Sequence, residues 1–366
     1  MPLWWIEFSG PARLTAALMA KESLWSPLQV EPQGFQNTFG EDTPTDAGYV
    51  RHMTTSLQLP FIVPWHWSQF HQYFTLRLLP GVESLALDQY SRTVSLGGQT
   101  GWFSVRLLNH VAALELSLSD SLRDQSGPLA AQVTRMFDLN TDPAVLVRHF
   151  AADTFIGPLV TEQPALRLPS AFDPFEVAVR AFVGQQVSVK AAVTITRRLI
   201  ERLGMPLPPT PASRSRSLSA LFPTAWAIAR GNLDAIGMPA KRVLTLQTFA
   251  AAVDNGALTL NINQGVDDLV ERLCQLPGIG TWTAEYIALR GFAAADAFPA
   301  ADLGLLKAPL WGPIGLTAKT LLKRAECWRP WRAYAAMHIW QDYARREHLR
   351  KALKAAKSSP TPSPDR

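Results

Sequence analysis

Leu276-Pro277-Gly278-Ile279-Gly280-Thr281-Trp282-Thr283-Ala284, with Asp302 further along, is the stretch on which the reading of this chain turns. Two glycines flank one apolar residue between segments of helical patterning. Glycine permits a tight turn, and the turn exposes successive backbone N–H groups at a helix start, where a phosphate binds. Such a turn grips a nucleic-acid backbone without reading its bases. The Asp302 carboxylate then has a substrate to act on.

Upstream of this turn, helical periodicity predicts a helix opening at Asp142-Pro143 and others at about 174–186, 189–203, 224–230, 239–253 and 266–275, with 281–291 and 331–353 downstream. Asp142-Pro143 and Asp173-Pro174 each read as an N-cap followed by proline at the first helical position. Residues 204–216 read as a loop that interrupts the helical body. Nearer the N-terminus the period changes. Phe74–Leu78, Ser91–Leu96, Trp102–Leu107 and Leu114–Leu118 alternate polar with apolar residues, and Gly97-Gly98 stands between the middle two. That predicts a half-buried antiparallel sheet, with helices at 65–73 and 129–137 beside it.

Composition narrows the class. With 366 residues, 47% hydrophobic and 18% charged, the chain supports two or three domains with substantial cores. A net charge of +5 is compatible with a polyanionic partner. Residues up to about 60 lean acidic, whereas Lys319 to Lys354 are rich in Lys and Arg, which for any single residue means a solvated helical face. Cys274 and Cys327 are the only cysteines, too few for a disulfide framework or a Cys-rich metal site. No uncharged apolar run reaches the ~18 residues of a membrane span, and no secretory signal opens the chain. The expectation is a cytoplasmic monomer without membrane partners.

The hairpin together with Asp296 to Leu305 resembles the helix-hairpin-helix DNA glycosylase superfamily. Phe137-Asp138-Leu139, Phe175 to Ser188, Leu233 to Arg242 and Trp328 to Trp340 agree in order, so the resemblance covers roughly residues 60–345. Within the superfamily the chain is similar to the DNA-3-methyladenine glycosylase II branch. The resemblance implies an α+β fold: a small N-terminal antiparallel-sheet domain of TATA-binding-protein-like topology, then two all-α domains containing the helix-hairpin-helix motif. On that division residues 1–58 are an extension of uncertain order and 59–140 the α+β domain. Residues 141–173 with 295–355 form the helical domain carrying the catalytic Asp, 174–294 the domain with the hairpin, and 356–366 a disordered tail.

Residue roles follow partly from chemistry and partly from the resemblance. Hydrolysis of an N-glycosidic bond develops positive charge on the sugar, which an ionised carboxylate beneath it stabilises. Asp302 holds the family position for that role, while Asp296 reads as a turn cap. Trp282 stands where strand-cleaving relatives carry a lysine that forms a Schiff base, so the expected activity is monofunctional. Trp282 and Tyr286 share one helix face at i and i+4, and the resemblance adds Trp340 and Leu303 to their pocket. Electron-rich rings select a cationic alkylated purine such as 3-methyladenine. Trp311, Trp328 and Trp331 read as core.

Gly184–Ser188 matches the segment that fills the gap left by a flipped nucleotide, which makes Gln185 and Gln186 the wedge candidates; the family's leucine is replaced by Gln186. Amides at Gly278, Gly280 and Trp282, with Thr281 and Thr283, are expected to hold a phosphate of double-stranded DNA. Carbonyls of Cys274, Leu276 and Ile279 are the expected ligands of a Na or K ion; otherwise no cofactor is required. Lys241 and Arg242 read equally as phosphate contacts and as a solvated helix end. The rival functions are a glycosylase-lyase, opposed by Trp282, and a non-catalytic lesion-sensing protein, opposed by Asp302.

Overall fold

Five strands between Thr55 and Leu118 pair into one antiparallel sheet in a computed structural model that describes residues 55–358. They are β1 (Thr55–Pro60), β2 (Glu83–Leu85), β3 (Gln89–Leu96), β4 (Gln99–Leu107) and β5 (Ala113–Leu118), in the order β1-β5-β4-β3-β2. The Gly97-Gly98 turn, with φ of 58° and 77°, joins β3 to β4 as the left-handed turn residues of a tight hairpin should. Helices α1 (Trp67–Thr75) and α2 (Ser126–Met136) cover one face, where Trp67, Phe70, Phe74, Val133 and Phe137 pack on Tyr90, Phe103 and Leu116. The extension at residues 1–54 and the tail beyond 358 lie outside the described residues; β1 opens at Thr55, four residues inside the stretch assigned to the extension.

Two expectations fail here. Phe74–Leu78 is not a strand: Phe74 and Thr75 belong to the last turn of α1, because Trp67, Phe70, His71 and Phe74 repeat at helical spacing and bury together. Nor is the sheet half-buried, since β3 and β4 are buried on both faces. Residues 205–221 leave the helical body and cross the second face. There Leu207 and Leu218 pack on Trp102, Arg216 Nε donates to Ser104 Oγ at 2.7 Å, and Thr93 Oγ1 donates to the Ala220 carbonyl at 2.7 Å. The expected loop at 204–216 contains one short helix, Pro211–Ser215.

The helical body comprises α3 (Pro143–Phe150), α4 (Ile156–Glu162), α5 (Pro174–Gly184), α6 (Val189–Leu203), α7 (Pro211–Ser215), α8 (Ala225–Arg230), α9 (Ala240–Asp254), α10 (Val266–Cys274), α11 (Thr281–Phe292), α12 (Leu303–Leu306), α13 (Ala318–Ala325) and α14 (Arg332–Ser358). Asp142 and Asp173 accept the Ala144 and Phe175 amides, capping α3 and α5 ahead of a proline. The short tail assigned to 356–366 begins inside α14, which runs to Ser358.

Sheet and helices meet across buried charge. Arg92, on β3, pairs with Glu176 of α5 at 2.6 Å, with both side chains no more than 3% exposed. Arg135 of α2 donates to the Phe172 carbonyl (3.0 Å) and the Gly291 carbonyl (2.6 Å). Arg167, fully buried, donates to the carbonyls of Ile62, Pro64 and Thr141.

Candidate active site

Ile279 is buried between two exposed glycines, so the hairpin from α10 to α11 presents backbone outward while one side chain anchors it. Gly278 has φ 87°, and a Cβ there would stand 2.6 Å from Thr245 Oγ1 on α9. Gly280 has ordinary φ of −96°, and a Cβ there would meet nothing within 4 Å. It is the N-cap of α11 and supplies no side-chain cap, so the first-turn amides face outward at the positive end of the helix. Thr281 is exposed alongside them. Thr283 is buried instead, and its Oγ1 accepts from Gln185 Nε2 at 3.4 Å, which turns that hydroxyl toward the turn between α5 and α6. The Leu276 carbonyl accepts the Ile279 N–H at 3.2 Å, leaving one lone pair outward.

Asp302 is the N-cap of α12 and is 5% exposed. Its Oδ1 accepts from Gly304 N (2.8 Å), Leu305 N (3.2 Å) and Trp340 Nε1 (2.9 Å). Oδ2 accepts from Trp282 Nε1 at 3.0 Å. Burial pushes this carboxyl above its ordinary range, against the pull of those four donors. All four are neutral, and among the described residues no Lys or Arg pairs with Asp302. The negative charge is thus held in place without being neutralised. Gly304 makes this arrangement possible: a Cβ there would stand 3.0 Å from Asp302 Oδ1 and 3.1 Å from the Trp340 ring.

Trp282, half-buried, stacks on Tyr286 with centroids 5.4 Å apart and planes at 16°. Trp340 is 1% exposed, and Arg290 lies 5.8 Å over its ring. Trp340 therefore joins the group through its N–H on Asp302, whereas Trp282 is half-buried with its ring stacked on buried Tyr286, 7% exposed. Leu303 is half-buried beside the carboxylate. Asp296 is bound up in ion pairs with Arg329 and, at 2.8 Å, Arg332. Trp328 is core at 1% exposure and Trp311 and Trp331 are partly buried.

Gln186 occupies a left-handed backbone position, φ 59°, at the exposed turn between α5 and α6. Gln185, half-buried, is held at its carbonyl by Arg242 of α9, so that arginine faces the turn. Lys241 stays exposed. Cys274 is half-buried and Cys327 exposed, both free thiols.

Three residues here escaped the sequence reading. Tyr73, from α1, shares with Tyr286, Arg77 and Arg290 the lining of a cavity of about 50 Å³. Arg290 lies 5.1 Å over the Tyr73 ring, and burial lowers its pKa to about 10. Gly304 is the third. Arg290 was visible as the next i+4 step after Trp282 and Tyr286; nothing in the sequence links Tyr73 to them, because the contact spans two domains.

A profile for the AlkA N-terminal domain matches residues 56–173. DNA-3-methyladenine glycosylase 2 of Escherichia coli is 34% identical over 282 residues, covering 76% of this chain and 94% of that protein. A probable bifunctional transcriptional activator/DNA repair enzyme AlkA of Mycobacterium tuberculosis is 34% identical over 290 residues, covering 78% of this chain; the chain spans 57% of that relative's length. Among solved structures, 3-methyladenine DNA-glycosylase from Archaeoglobus fulgidus superimposes with a TM-score of 0.67 at 19% identity, covering 80% of this chain and 99% of that one, which shows a shared fold.

Proposed function

The chain belongs to the DNA-3-methyladenine glycosylase II family, and from that premise we propose that it flips alkylated purines out of duplex DNA and hydrolyses their N-glycosidic bonds, leaving the strand intact. The observation that carries this reading is the buried, un-neutralised Asp302 carboxylate hydrogen-bonded to one member of a stacked aromatic pair.

The open amides of α11 grip a backbone phosphate, and Gln185 and Gln186 fill the gap in the stack. The extruded purine lies against Trp282 and Tyr286, where cation–π attraction of roughly 0.5–2 kcal/mol favours a positively charged lesion over a neutral base. Asp302 Oδ1 already serves three donors, so Oδ2 is the oxygen that meets the developing oxocarbenium and orients water. A cationic purine leaves readily, so electrostatic support suffices. Trp282 offers no amine, which excludes a Schiff-base route through that position. Neutral main-chain oxygens at Cys274, Leu276 and Ile279 are the donor class a Na or K ion takes, and its positive charge would strengthen the phosphate grip. The DNA partner implies a cytoplasmic location, and nothing in the mechanism asks for a second subunit. No helix among the described residues is long and apolar enough to cross a membrane.

Methylated duplex DNA incubated with the protein should release 3-methyladenine, and Asp302→Asn should lower that rate by about 100-fold or more while duplex affinity persists. Equal rates for the two proteins would refute the mechanism. Only ionised Asp302 is active, and its pKa is raised. Activity should therefore fail on acidification at a pH above the usual carboxylate range.

A further inference from the structure

Between α11 and Asp302 the chain is fastened at several points. Ala294 N–H donates to the Ala288 carbonyl (3.3 Å), and Ala333 N–H of α14 donates to the Ala295 carbonyl (2.8 Å). Asp296 is pinned by Arg332 and Arg329. Besides the Trp282 bond to Asp302 itself, α11 fastens the approach to that residue through a side chain: Glu285 Oε2 accepts the Phe298 N–H at 2.9 Å. Phe298 is 1% exposed and sets its ring edge-on to Trp328 at 5.7 Å. The Asp302 N–H then donates to the Pro299 carbonyl at 2.8 Å, so displacement at Phe298 reaches Asp302 within one turn.

We propose that Glu285 is a positioning residue for Asp302, tying the segment that ends in that carboxylate to the helix that carries Trp282 and Tyr286. The inference rests on the reading of Asp302 as the catalytic carboxylate. Glu285 lies one turn after Trp282 and next to Tyr286, so it links the backbone leading to the carboxylate to the helix of the aromatic slot, beside the direct Trp282–Asp302 bond. The contact it protects, Trp282 Nε1 to Asp302 Oδ2 at 3.0 Å, tolerates little slack.

The strength of the tether depends on charge. An ionised carboxylate accepts an amide N–H roughly twice as strongly as a neutral group does. Burial raises the Glu285 carboxyl to about 7; the Phe298 N–H and Arg332 of α14 pull against that, and Asp267 of α10 and Asp296 add to it. The tether is thus charged above neutrality and loses its charge below.

Single-turnover base release from methylated duplex DNA, followed from acid pH up to pH 8.5, tests this. Unsubstituted protein should lose activity on acidification with two protons involved, one at Asp302 and one at Glu285. Glu285→Gln, which keeps an acceptor and cannot titrate, should leave a one-proton profile and retain most of the rate at pH 8. Glu285→Ala should lower the pH 8 rate by about tenfold with duplex affinity unchanged, since a small misplacement of a reacting group has effects of that order. Superimposable profiles for Glu285→Gln and the unsubstituted protein would overturn the proposal, and that comparison decides even if Glu285→Ala fails to fold. No release by the unsubstituted protein would instead overturn the Asp302 reading, and this role with it.

Discussion

Gly278 and Gly280 stand two residues apart and differ in what a side chain would meet. At Gly278 the left-handed φ of 87° and the nearby Thr245 hydroxyl both oppose a Cβ. Gly278→Ala should therefore lose about 1–3 kcal/mol of stability, read as an earlier denaturant midpoint. At Gly280 the space is open and φ is ordinary. Gly280→Ala should keep its midpoint yet bind duplex DNA more weakly, because the methyl stands before the α11 amides; unchanged affinity would mean the phosphate is held elsewhere. These glycines were legible because a turn type dictates its residues. Asp302, Trp282 and Tyr286 were legible because spacing and family position name them. Gly304 was not: its smallness matters only through Trp340, a neighbour set by the fold rather than by the chain.

The turn between α5 and α6 shows what one helix does for another element. Gln186 takes a backbone conformation that non-glycine residues seldom adopt, Ser188 caps α6 through the Ala191 amide (3.2 Å), and Arg242 reaches across from α9 to the Gln185 carbonyl. Removing that guanidinium leaves the turn anchored by sequence-local bonds and the long 3.4 Å bond from Gln185 Nε2 to Thr283 Oγ1. Arg242→Ala should weaken nucleotide extrusion by about tenfold, the equivalent of one charged hydrogen bond, as followed by fluorescence of a reporter base beside the lesion. Little change in thermal stability should accompany it. Ser188 also explains why Val189–Leu203 could be bounded from sequence, since a cap and a terminal glycine mark its ends. Phe74–Leu78 had no such marks. Its alternation reads as a strand, so the helix expected at 65–73 was ended too early; Phe74 completes the stripe of Trp67, Phe70 and His71 that packs on the sheet.

At the scale of the molecule, the join between sheet and helices is ionic and dry. Arg92 and Glu176 are both buried, and Glu176 also meets Arg180 at 3.0 Å. Burial raises the Glu176 carboxyl, but Arg92 and Arg180 together bring it below its ordinary value. Its contribution to stability is therefore present at neutral pH and lost as acid protonates it. Glu176→Gln leaves buried Arg92 only its longer pairing with Glu83, at 3.9 Å, and should destabilise by about 3 kcal/mol in equilibrium unfolding. Neither this join nor the 205–221 excursion over the sheet was legible, because both depend on residues far apart in the chain. The excursion has a mechanical consequence. Stitched at Ser104, Thr93 and Trp102, and clamped by Arg135 and Arg167, the two halves cannot swing apart like jaws. On the proposed function, the work of distortion then falls on the double helix, and a site whose stacking is already loosened by damage yields at the lowest elastic cost.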